Sequence, residues 1–175
     1  MKKLTITFAV LLITIFSASS FAQNATPVEA VGSFYAFHRK RDRTFSRAGV
    51  EAHKQWFSEG LYRLFLYELE RERAFLKKNP TDKPYFADDM PFEPIDETCS
   101  AGSRQLHKQL TVKPDAEDKS IATVRAIFAF PSPCKEPDTT IYMIEVVRVP
   151  TGWVIDNIVY EDGSTLVAAL KRKDY

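Results

Sequence analysis

Two glutamates and a histidine are the residues of this chain best placed to do chemistry. Glu68 and Glu72 stand one helical turn apart, near the centre of an apolar face made by Leu61, Leu64, Phe65, Leu69, Phe75 and Leu76. His38 interrupts a second apolar stripe, between Phe34 and Val31 in angle. A carboxyl held among apolar side chains is easier to protonate, so it can give or take a proton near neutrality. The competing reading is structural, because buried carboxylates are rare unless paired. Arg125, Arg73 or His38 would then answer one of the glutamates, or its carboxylate would reach solvent at the helix edge. The structural reading is preferred, and no residue is assigned a catalytic role. His53, beside Trp56 and Phe57, reads as a partly buried structural histidine, and Asp156 as a residue of a turn or bulge.

Other chemistries lack their patterns. Asp82, Asp88, Asp89, Glu93, Asp96 and Glu97 are numerous but do not follow calcium-loop spacing. There is no His-Glu-x-x-His, no Gly-x-Ser-x-Gly and no glycine-rich phosphate loop, and the whole chain has six glycines. No metal or cofactor is expected. Arg39, Lys40, Arg41 and Arg43 form a basic run at a helix end, where the dipole and solvation account for them. With 24 Lys plus Arg against 23 Asp plus Glu, no global field draws the chain to nucleic acid.

The elements that must position these residues divide near residue 100. Pro27 to Lys40 has helical periodicity and a proline at its start. A shorter helix is expected near Arg47 to Phe57. Ser58 is placed to cap a long helix through Lys78, which Asn79-Pro80 ends. Pro80 to Thr98 is a long acidic loop whose Tyr85, Phe86 and Phe92 predict that it packs down. Strands follow: a weak candidate at Leu106 to Val112, then Ser120 to Phe130, Thr139 to Val149 and Trp153 to Tyr160. Pro150-Thr151-Gly152 turns between the last two. Trp153 and Ile155 have one parity, Ile158 and Tyr160 the other. Either both faces of that strand are covered, or a bulge at Asp156-Asn157 re-aims it. A short terminal segment carries Leu166, Val167 and Leu170.

The chain's 175 residues suit one domain behind a leader. Lys2 and Lys3, the run from Leu4 to Phe16, and small residues at Ser20 and Ala22 predict a signal peptide over residues 1–22. The run is too short to cross a bilayer, so no stable membrane anchor is expected after cleavage. Residues 23–175 then form a single exported domain in the periplasm or beyond it. Cys99 and Cys134, the only cysteines, are expected to form a disulfide in an oxidising compartment.

Val31, Phe34 and Tyr35 on the first helix, the Phe57-Ser58-Glu59-Gly60-Leu61 helix entry and the late hairpin Val149-Pro150-Thr151-Gly152-Trp153-Val154-Ile155-Asp156-Asn157-Ile158 form a familiar set. In these features the chain resembles the nuclear transport factor 2-like (cystatin-like) superfamily, and within it the exported bacterial domain of unknown function 3828. The resemblance implies an α+β fold in which N-terminal helices pack on a strongly bent antiparallel sheet and leave a cone-shaped pocket. Superfamily pockets serve enzymes, binders and interaction modules alike, so fold does not select function. The expected ligand site is His38, Glu68, Glu72, Phe34, Phe65 and Trp153. The leading expectation is an exported, non-catalytic domain binding a small ligand of apolar and polar character. One alternative is an inhibitor- or immunity-type interaction module using the 80–98 loop, and another is an isomerase or lyase using the pocket carboxylates. A homodimer through the sheet face is also expected.

Overall fold

The computed structural model describes residues 26–41, 43–87, 90–94, 98–102, 104–134 and 139–173. The expected leader lies outside them, as do Asp88, Asp89, Asp96 and Glu97. Helix α1 (Pro27–His38) begins with a reciprocal capping box: Thr26 Oγ1 accepts from the Glu29 amide at 3.2 Å, and Glu29 accepts from the Thr26 amide at 3.1 Å. It ends two residues before the expected Lys40, with Arg39 as its C-cap. Ser46 caps α2 (Arg47–His53), and a 3₁₀ turn over Lys54–Trp56 carries the chain on. Ser58 caps α3 (Glu59–Lys78), accepting from the Leu61 amide at 3.1 Å.

Beyond the 80–98 loop, β1 (Thr98–Ala101) and β2 (Arg104–His107) form a small hairpin. The main sheet is β3 (Gln109–Glu117), β4 (Ile121–Ala129), β5 (Thr139–Val149) and β6 (Gly152–Val159), antiparallel and paired in chain order. The weak candidate at Leu106 to Val112 therefore straddles two strands that part at Lys108. Alternation decides which face is buried. Ala122, Val124, Ala126 and Phe128 of β4 and Tyr142, Ile144 and Val146 of β5 all point inward. Helix α4 (Leu166–Lys171) closes the chain and buries Leu166 and Leu170. The fold is thus α+β, with helices on one face of a curved four-stranded antiparallel sheet. Among the described residues no helix is long and apolar enough to cross a membrane.

Both readings of the last strand hold. Glu145 pairs with Asn157 and Val146 with Ile155, so Asp156 is the extra residue of a bulge. That bulge lets Ile155 and Ile158 both be buried despite opposite parity, while Trp153, Val154 and Ile155 in succession are covered on both faces. Gly152 takes a positive φ of 121° where the Pro150-Thr151 turn enters β6.

Cys99 of β1 and Cys134 beyond β4 are joined by a disulfide with their Cα atoms 6.2 Å apart. It ties the small hairpin and the 80–98 loop's end to the main sheet. For a separation of 35 residues, chain entropy predicts a stabilisation of about 3–4 kcal/mol. The Cys99→Ser/Cys134→Ser double variant should lose about that much in urea unfolding.

Candidate functional site

The space between helices and sheet is filled by aromatic rings, and the 80–98 loop supplies the central one. Phe92 is fully buried, with its ring centroid 5.1 Å from Phe34 and 5.2 Å from His38 on α1, and 5.8 Å from Phe65 on α3. It also meets Phe57 at 5.5 Å and His53 at 5.8 Å. Hydrogen bonds hold the loop there. Tyr35 Oη donates to the Phe92 carbonyl at 2.9 Å, Tyr160 Oη donates to the Pro91 carbonyl at 3.1 Å, and the Met90 amide donates to the Arg43 carbonyl at 2.8 Å. Glu93 accepts from Arg39 Nε at 2.5 Å and lies 3.9 Å from Arg43. Two arginines of the basic run thus anchor the loop, a role that helix-end position alone does not reveal.

His38 and His53 form a buried pair inside this cluster. His53 Nδ1 lies 2.7 Å from the Gly49 carbonyl oxygen, which can only accept, so this nitrogen carries the proton. In the neutral ring His53 Nε2 is then an acceptor, and His38 Nδ1, 3.1 Å away, donates to it. His38 Nε2 is left as a buried lone pair with no hydrogen-bond partner among the described residues. Gly49 leaves no room for a side chain, since a Cβ there would meet the Thr44 carbonyl oxygen at 2.9 Å. Burial pushes the His38 pKa down to about 3, helped by His53, Arg43 and Arg39. His53 is also lowered, by burial first and by Arg41 less, against the opposing Gly49 hydrogen bond.

The two glutamates point inward and are answered there. Glu68 is fully buried; one oxygen accepts from Arg71 and the other from Arg172 Nη2 at 2.5 Å. Neither cation is among those expected from sequence. Only 14% of the Arg71 side chain is exposed, because it folds back over the preceding turn to Glu68 and also donates to the Arg172 carbonyl. Arg172 arrives from the far end of the chain, a contact that helical periodicity cannot show. Glu72 accepts from the Phe86 amide at 3.1 Å, which tethers the loop to α3. These partners give both carboxylates positioning work. His38 meets His53, not the glutamates. Trp153 is buried on β6, paired across strands with Arg148, whose guanidinium lies 5.8 Å from its ring centroid.

Of the expected ligand set, Phe34, Phe65 and His38 share the aromatic cluster, whereas Glu68, Glu72 and Trp153 lie apart from it in the pairings just described. Open clefts among the described residues lie elsewhere, and none of the six lines either of the two larger ones. One, of about 720 Å³, lies among Phe37, Arg41, Lys54, Gln55, Glu59 and Thr151. The other, of about 670 Å³, opens between the 80–98 loop and the end of the sheet's inner face, lined by Tyr85, Phe86, Pro91, Pro94, Tyr142 and Tyr160, with Glu161, Asp162 and Ala169. Tyr142 and Tyr160 meet edge to face at 5.1 Å. Burial, then Glu161, Glu93 and Asp162, push the Tyr142 phenol up to about 12, so it stays protonated at physiological pH. The second cleft was missed because its walls come from three separated segments. Its one sequence signal was the aromatic content of the loop. Among the described residues no group of three or more His, Cys, Asp or Glu is arranged to hold a metal ion.

The histidine pair makes stability depend on pH. Folded His38 is neutral down to about pH 3, whereas the unfolded imidazole takes up a proton near pH 6.5. Stability is therefore fully present above about pH 6.5 and falls as pH drops towards 3, by up to about 1.4 kcal/mol per pH unit for each imidazole. Urea unfolding between pH 7.5 and 4 should show this slope, and His38→Gln, which keeps a donor for His53, should flatten it.

No protein-family model, no curated protein and no solved structure matches the chain.

Proposed function

We propose that the chain is an exported, non-catalytic binding domain of nuclear transport factor 2-like architecture, and that it takes a small ligand in the tyrosine cleft instead of deep between helices and sheet. The observation that carries the reading is the cleft itself: about 670 Å³ bounded by Tyr85, Tyr142, Tyr160, Pro91 and Pro94. That volume is in the range of small-molecule sites, as is the mixture of apolar walls with few polar groups. The Tyr160 to Pro91 hydrogen bond fixes one wall to the other, so little ordering remains for the ligand to impose. The pairing of Glu68 with two arginines supports the absence of carboxylate catalysis. The disulfide and the leader-like first 22 residues support export to an oxidising compartment.

A second reading is favoured by Tyr85, which is 59% exposed beside the cleft. An aromatic rimmed by charge on a loop is the kind of anchor a protein partner buries. Its sign would be a captured partner that Tyr85→Ala loses and Ala169→Trp, which fills the cleft, retains.

The test is saturation-transfer NMR of a small-fragment mixture on residues 23–175 and on Ala169→Trp, which fills the cleft from α4. Fragments should bind the parent chain and lose at least about fivefold in affinity in the variant, at an unchanged melting temperature. Equal binding to both proteins, or no binding to the parent, would overturn the cleft as the ligand site.

A further inference from the structure

The tyrosine cleft has a charge sign as well as a shape. We infer that its ligand is a small organic cation, an ammonium head with an apolar body, set against the rings of Tyr142 and Tyr160 and countered by Glu161 and Asp162. The inference rests on the reading of this cleft as the ligand site and adds the ligand's class.

Three observations carry it. First, the rings stand at right angles: Tyr142 to Tyr160 at 81° and 5.1 Å, Tyr85 to Phe86 at 86° and 4.8 Å. Perpendicular electron-rich faces are the walls of cages that hold ammonium groups. Second, among the described residues the acids at the cleft are uncompensated, since neither Glu161 nor Asp162 makes an ion pair with any of them. Asp162 instead accepts from the Ser164 amide at 2.9 Å and its hydroxyl at 2.6 Å, hydrogen bonds that keep it ionised and in place. The neighbouring charges are already answered: Arg172 by Glu68 at 2.5 Å, and Glu93 by Arg39 at 2.5 Å. Among the described residues, the net charge facing the cleft is therefore negative. Third, this chain already holds a cation on a neighbouring ring of the same cleft, with the Arg172 guanidinium 3.8 Å from the Tyr85 centroid. The floor of Phe86, Pro91 and Pro94 suits an apolar body.

A cation over tyrosine faces gains roughly 0.5–2 kcal/mol depending on desolvation, which is about two- to thirtyfold in affinity. Titration calorimetry of residues 23–175 with benzyltrimethylammonium, benzyl alcohol and benzoate separates the possibilities. The cation should bind about tenfold more tightly than the alcohol, with benzoate weakest. Glu161→Gln, a change at an exposed position that leaves the fold intact, and the Glu161→Gln/Asp162→Asn pair should each reduce that preference, the pair to about twofold. Equal binding of all three probes, lost in Ala169→Trp, would overturn the cationic assignment and leave the cleft as a binding site. Failure of all three to bind would overturn the cleft reading itself. Binding of an oligolysine peptide without the small cation would overturn the small-molecule assignment.

Discussion

The insertion of Phe92 between the helices and the sheet is the constraint on which the rest of this structure depends. Its ring lies within 6 Å of rings from α1, α2, the turn before α3 and α3 itself. A phenylalanine buried to this degree is worth about 3–5 kcal/mol against truncation to alanine. Because the ring belongs to a proline-rich loop, the chain must secure that loop at many points to keep it in place. Tyr35, Tyr160, Glu72, Arg39 and Arg43 each supply a bond to it. Several of the chain's conspicuous polar residues are thus accounted for by one packing event.

The same event decides where a ligand can go. A domain whose interior is filled by Phe34, Phe65, Phe92 and a neutral histidine pair has its accessible space at the surface, and one of its clefts opens at the loop's outer edge. There the loop carbonyl of Pro91 meets Tyr160, and the three tyrosines gather. The buried groups that looked suited to acid–base chemistry are the ones committed to internal partners. The groups left with unspent capacity, Glu161 and Asp162, lie at the surface in a turn with no sequence signature of function.

Much of the architecture was legible because it rests on local rules. Ser58 before an amphipathic run specifies a helix start, alternation in β4 specifies its buried face, and Asp156 at a parity switch specifies a bulge. The disulfide followed from two cysteines and an expected leader. The candidate site was less legible because its contacts span long separations. Helical periodicity put Glu68 on the inner face but could not reveal Arg172, which reaches it from 104 residues away. Likewise the apolar stripe marked His38 without disclosing His53, and the aromatic loop announced burial without indicating which space it would fill.

The central claim is that Phe92 closes the interior, so that the proposed ligand meets the protein at the loop's outer edge. Amide chemical-shift mapping of residues 23–175 during titration with a small aromatic ligand tests this directly. The account predicts perturbations confined to residues 85–94, 140–142 and 160–169. Perturbations centred on Phe34, His38, His53 and Phe65, with those segments unmoved, would contradict it by showing an interior that admits a ligand.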